Sequence, residues 1–171
     1  MKSKLMLTGE KVRLREKRLS DAAKDYAWRC DPELARLDAL PPFKMSFQEY
    51  LAIYKDELRY PGGRQWWFAI ETLEGKHIGN CMCYNIDQEK SQTELGILIG
   101  DRTEWDKGYG TDAVNTLAGY IFNELGLERI YLNTLDWNIR AQRCFHKCDF
   151  VPCGLATRQG NTFIIMELYQ S

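Results

Sequence analysis

"ILIGDRTEWDKGYGTDAVNTLAGYIF", residues 97 to 122, sets two glycines, Gly108 and Gly110, at the mouth of a run with helical spacing. Ala113, Val114, Leu117, Ala118, Ile121, Phe122 and Leu125 recur every three or four residues, which predicts a helix from about Gly110 to Leu125 with one buried stripe. Gly126 suits its stop. The preceding "TELGILIG" alternates like a strand. Glycines between a strand and a helix let the backbone approach an anion without Cβ clash. Amides and helix dipole then point at it. An ordinary glycine-rich turn before a core helix is the competing explanation. A Walker loop is excluded, because no Gly-Lys-Ser/Thr occurs and Lys107 precedes Gly108. "GYGTDA" matches a dinucleotide fingerprint formally. However, "GDRTEWDK" separates it from the strand, and the nearest acid after a following strand, Asp136, lies later than that motif expects.

Outward from this stretch, the order of elements predicts the fold. "EKVRLREKR" reads as a first strand, and Ser20 as the cap of a helix through "SDAAKDYAWRC". Pro41 and Pro42 break the pattern; Ser46 and Glu49 then form a capping box for "FQEYLAIYKDELRY", ended by Pro61-Gly62-Gly63. Three strands, "RQWWFAIE", "KHIGNCMCYNI" and "TELGILIG", suit an antiparallel meander. After the glycine-gated helix come the strand "ERIYLNTL", a short helix "NIRAQRCFHK" capped by Asn138, and a closing hairpin. The strand–helix–strand crossover makes its strands parallel. The expectation is an α/β fold in one domain, residues 1–171, with a mixed, mostly antiparallel sheet of about seven strands and flanking helices.

The chain has 171 residues and a formal net charge of −1, which argues against a broad nucleic-acid footprint. No apolar run reaches the length of a membrane span, and the start lacks a secretory pattern. Six cysteines without a secretory signal read as reduced thiols of a cytoplasmic protein. Cys81 and Cys83 would share a strand face, and Cys144 and Cys148 a helix face; their spacing does not suit zinc.

"WDKGYG", Trp105 to Gly110, resembles motif A of the GNAT acetyltransferase superfamily, Q/R-x-x-G-x-G/A, with Trp105 in the Gln/Arg place. "NIRAQRCFHKCDF" resembles motif B, matched at Asn138, Ala141, Lys147 and Phe150, and "VRLREKRLSDA" looks like the opening of the ribosomal-protein N-terminal acetyltransferase (RimJ/RimL-like) branch. The resemblance implies an acetyltransferase with acetyl-CoA as co-substrate and no metal. It places the CoA arm along Leu98, Ile99 and Gly100 and the diphosphate on Trp105, Asp106, Lys107, Gly108, Tyr109, Gly110 and Thr111. Asn138 would sit on the other side of the arm, Lys147 would be a further cofactor contact, and the Leu98 amide would face the tetrahedral intermediate.

Glu94, fourteen residues before Gly108, is the candidate base, acting through water because four strand residues span roughly 13 Å. A solvated strand-end carboxylate is the plainer alternative. Phe145 occupies the family's usual acid position and cannot donate a proton; neighbouring His146 reads as a surface residue. Trp28, Trp66 and Trp67 read as core before acceptor pocket, and "DALPPFKMSFQEY" as a specificity segment. The expected partners are a small-molecule amine or a protein N-terminus, without nucleic acid or membrane; the family's habits leave a homodimer open. A non-catalytic acyl-CoA-binding module and a nucleotide-dependent oxidoreductase are the alternative functions.

Overall fold

The computed structural model describes residues 4–59 and 65–171. Two compact units divide the chain, one of residues 1–16 with 64–171 and one of residues 17–63. The larger holds all eight strands: β1 (Met6–Thr8), β2 (Val12–Glu16), β3 (Trp66–Thr72), β4 (His77–Asp87), β5 (Gln92–Ile99), β6 (Arg129–Leu135), β7 (Val151–Arg158) and β8 (Asn161–Tyr169). Their order across the sheet is β1-β2-β3-β4-β5-β6-β8-β7, antiparallel except for β5 and β6. The three-residue β1 is the strand missing from the sequence reading; it is too short to show alternation. The smaller unit carries α1 (Ala22–Cys30), α2 (Pro32–Leu37) and α3 (Phe47–Arg59). The larger adds α4 (Tyr109–Asn123) and α5 (Ile139–Lys147).

Helix α4 forms where its spacing places it, within about two residues. Ala113, Val114, Leu117, Ala118 and Ile121 are buried against one sheet face with Val12, Leu14, Phe68, Ile70, Ile78, Leu95, Ile130, Leu132 and Met166. Each large aliphatic side chain removed from water there contributes about 1.5–3 kcal/mol. Cys81 and Cys83 lie in this same core, and Cys148 joins it from the residue just after α5. Gly126 takes φ +68° after the last turn, in the left-handed conformation expected of a stop.

The smaller unit differs more from expectation. Ser20 does not cap α1. It lies inside a 3-10 turn, Leu19–Asp21, which begins with the Arg18 amide donating to Asp21 Oδ2 at 2.8 Å. Helix α2 was not foreseen; Asp31 accepts the Glu33 and Leu34 amides, and Pro32 supplies a preset φ at the first helical position. Ser46 accepts the Glu49 amide at 3.2 Å, as the capping box requires. The expected Pro61-Gly62-Gly63 stop lies outside the described residues. Within this unit Phe43, Tyr50, Tyr54, Tyr26 and Phe47 pack ring against ring. Lys17 Nζ stands 2.6 Å from Asp25, which also accepts from the Tyr54 hydroxyl. Truncating Asp25 takes a carboxylate from that buried ammonium and an acceptor from the Tyr54 hydroxyl, which is destabilising.

Candidate active site

Strands β5 and β6 separate partway along their length. Their parallel pairing runs only from Gln92 opposite Arg129 to Glu94 opposite Tyr131. Beyond that, β5 continues to Ile99 on β4, and β6 continues to Leu135 on β8. A wedge therefore opens between two strands that are each held on the far side. Register shifts by one residue in β4 near Asn85, at φ +51°; β5 itself carries no extra residue.

Main-chain direction in β5 follows from two anchors. The Ser91 carbonyl accepts from Glu128 and Arg129 on the β6 side, whereas the Gly100 amide donates to Ile78 on the β4 side. Alternation then turns Leu95, Ile97 and Ile99 toward the wedge, and Leu98 toward Asn80. The amide expected from Leu98, and the Gly100 amide, are thus both on the β4 side. The Leu98 carbonyl lies against Gly79, where any Cβ would collide with it. Ile99 does face the wedge, but its carbonyl already accepts the Trp105 indole Nε1–H at 2.7 Å. Sequence spacing cannot show this, because it fixes which residues share an edge but not which edge.

Side chains of β5 divide the other way. Leu95, Ile97 and Ile99 join the core, leaving Glu94, Gly96 and Leu98 on the opposite face. There the half-buried Glu94 accepts from the Tyr84 hydroxyl at 2.7 Å, Asn133 Nδ2 at 3.1 Å and Asn85 Nδ2 at 3.2 Å. Three donors from two neighbouring strands fix this carboxylate where β5 and β6 part. Burial and the hydrogen bond to Glu94 push the Tyr84 phenol above its usual range; burial and the Glu94 charge do the same to Tyr131. Both phenols are therefore donors at neutral pH. Tyr84, Asn85 and Asn133 were missed from sequence, since only register brings them to Glu94.

The loop at α4 is assembled from both ends. Lys76 Nζ bonds Asp101 and Glu104 at 3.0 Å each, and Asp101 accepts from Thr103. The Trp105 amide is spent on Arg102. Asp106 and Gly108 both adopt left-handed backbone, φ +62° and +85°. Among the described residues, the amides of Asp106 through Thr111 have no protein acceptor; the first helical bond is Asp112 to Gly108. Asp112, the acid in the first turn, is turned away from them. It accepts the Glu10, Lys11 and Val12 amides at 3.1, 2.8 and 3.0 Å.

Positive charge around the loop is arranged differently from the expectation. Lys107 Nζ leans toward Glu104 at 3.4 Å, while Lys11 donates to the Lys107 carbonyl at 3.0 Å beside Gly108. Nothing in the sequence links Lys11 to a loop 96 residues away. Tyr109 packs on the core, and Lys147 is exposed at the end of α5. Asn138 caps α5 by accepting the Ala141 amide at 3.3 Å. Phe145 is buried against Phe150, and His146 is exposed, as its helix position implied. Cys144 lies 3.6 Å from the place a Gly110 Cβ would occupy; the Cys148 thiol, more than the nearby cations, lowers it to about 7. Trp66 packs edge-on to Tyr120 yet keeps 36% of its surface exposed, and Trp67 and Trp28 are half-buried.

The chain as a whole is similar to known proteins. The profile of the acetyltransferase (GNAT) domain matches residues 11–151. The chain belongs to the GNAT acetyltransferase family. It is similar to an uncharacterized N-acetyltransferase, p20, of Bacillus licheniformis, 29% identical over 85% of this chain and 82% of the relative. In fold it is similar to the spermidine N-acetyltransferase of Vibrio cholerae in complex with CoA and spermine. That likeness has a TM-score of 0.82 at 21% identity, over 93% of this chain and 95% of the other. A ribosomal-protein-serine acetyltransferase-like protein of Vibrio cholerae gives 0.75 at 19% identity, over 99% and 100%. The family's co-substrate is acetyl-CoA. Among the described residues, no group of His, Cys, Asp and Glu could hold a metal ion, and no helix is long and apolar enough to cross a membrane.

Proposed function

We propose that this acetyltransferase moves the acetyl group of acetyl-CoA directly onto a primary amine while both substrates are bound. The wedge between β5 and β6, with Glu94 fixed where it opens, carries this reading. The pantetheine arm is itself an extended chain of amides and suits the edge of β5, adding to it as a strand would. Ile97, whose main chain faces the wedge, takes the role first assigned to Leu98: its amide donates to the thioester oxygen as negative charge gathers there. The diphosphate lies on the empty amides of Asp106 to Thr111. Asn138 retains its Nδ2 for the arm after its oxygen caps α5. Lys147 contributes only at longer range.

An ammonium has no lone pair with which to attack, so the acceptor must lose a proton first. Glu94 receives it through a water molecule, since no bulge in β5 brings the carboxylate nearer the thioester. Attack on the carbonyl carbon forms the C–N bond; collapse breaks the C–S bond, and the departing thiolate takes the second proton that the new amide nitrogen sheds. A thiol leaves readily without a dedicated acid, consistent with a buried phenylalanine at position 145. Polyamines lead the acceptor candidates: Glu94 is a fixed negative group, and the structurally similar Vibrio cholerae enzyme holds spermine. Protein N-termini follow, through the RimJ/RimL-like motifs.

The test is acetyl transfer from acetyl-CoA to spermidine, N-terminal peptides and aminoglycosides, read by mass spectrometry of the products. Glu94→Gln should cut kcat by about 100- to 10,000-fold and leave CoA binding intact. CoA binding without transfer to any of these amines would overturn the amine reading in favour of an acyl-CoA-binding module.

A further inference from the structure

Arg140 is the second residue of α5, and its guanidinium carbon lies 3.1 Å from the centre of the Trp105 ring. Trp105 cannot shift to receive it elsewhere, because its indole N–H is tied to the Ile99 carbonyl. The stacked guanidinium keeps Nη1 buried with no hydrogen-bond partner among the described residues. Burial works against its charge, and Asp106, the acid that favours it, forms no ion pair with it at contact distance among the described residues. A buried donor such as Nη1 is not left unpaired without cost. Next along the chain from Trp105 begin the amides of Asp106 to Thr111, also without protein acceptors among the described residues. Donors from two separate elements thus stand at the same loop, and among the described residues neither Nη1 nor those amides has an acceptor.

We propose that Arg140 is a donor-selectivity residue, which clamps a phosphate group of CoA from the α5 side while the loop amides hold it from the α4 side. Trp105 is the platform that holds the guanidinium flat at the loop's edge. Motif A usually carries Gln or Arg at that position. Here the charge comes from α5, and the ring underneath it orients the fork. The proposal rests on the loop being the diphosphate site. It adds that this protein selects phosphorylated donors over bare pantetheine thioesters through Arg140.

The experiment compares CoA binding by calorimetry, and turnover with acetyl-CoA against acetyl-pantetheine, in the full chain. Arg140→Gln should weaken CoA about 10- to 100-fold, the range for losing a hydrogen bond to a charged group, and flatten the dependence of CoA binding on salt. It should raise KM for acetyl-CoA, leave kcat within about threefold, and leave kcat/KM with acetyl-pantetheine unchanged. Arg140→Lys keeps charge and loses the fork, so it should recover part of the affinity; it also serves if the Gln variant does not fold. Unchanged CoA affinity in a folded variant, or equal losses with both donors, would make Arg140 a cover for Trp105 only. Absence of acetyl transfer to every amine would defeat the proposed reaction, yet the CoA-binding and salt comparison would still decide Arg140.

Discussion

Two helices flank the loop, and their first turns are finished in opposite ways. At α5, Asn138 turns its own side chain onto the Ala141 amide. Helices α2 and α3 of the smaller unit do the same with Asp31 and Ser46. At α4 the capping position is Gly108, which has no side chain, and the nearby acid Asp112 is spent on the turn between β1 and β2. The sequence between 105 and 112 does not lack polar residues; Lys107 leans toward Glu104 and Thr111 donates to Cys144 instead. A helix end that could be closed internally at a gain of about 1 kcal/mol, and is not, supports the proposed anion seat.

Closing that end artificially breaks the contrast most severely. Gly108→Asp places a carboxylate where the other helices carry their caps, at a φ that Asp tolerates better than most residues. CoA affinity should fall more than about 100-fold by calorimetry, from repulsion of the diphosphate and competition for the amides. An unchanged affinity would move the diphosphate off α4. Asp112→Asn sharpens the contrast from the other side. It weakens three bonds that pin the β1–β2 turn and should lower unfolding stability by about 2–3 kcal/mol in urea. CoA affinity should stay within about threefold, because the group never faced the ligand.

Asn138→Ala removes the side-chain cap of α5 and should cost about 1 kcal/mol of stability, visible as a lower Tm. The smallest effect is chemical. Cys144, lowered to about 7, should react with iodoacetamide at a rate that climbs through neutral pH as the thiolate forms. Cys83, pushed up to about 11 by burial, should stay inert across the same range. Bound CoA should slow alkylation of Cys144, which sits beside Gly110; peptide mass spectrometry reads both. Equal reactivity with and without CoA would separate the thiol from the ligand.

Local pattern carried much of the fold into view. The stripe of α4, the meander of β3 to β5 and the β5–α4–β6 crossover depend on short-range periodicity, and they are where that periodicity places them. Helix α2 was hidden by its six residues, although Asp31-Pro32 is a start signal, and β1 by its three. Ser20 failed as a cap because Asp21 reaches back to Arg18 first. The loop was legible from its glycines. Which edge of β5 faces the wedge was not, since Leu98 and Ile97 are told apart only by the neighbour each faces. Asn133 on Glu94 and Arg140 on Trp105 are products of packing between distant segments, which no spacing encodes.

The central claim is that the amides of Asp106 to Thr111 are the seat of the CoA diphosphate. Titrating CoA into 15N-labelled protein and following each backbone amide by NMR tests it most directly. The account predicts that the amides from Lys107 to Thr111 shift most, and that those of Glu33 and Leu34, already bonded to Asp31, stay still. CoA binding that leaves Lys107 to Thr111 unmoved, with its largest shifts elsewhere, would contradict it.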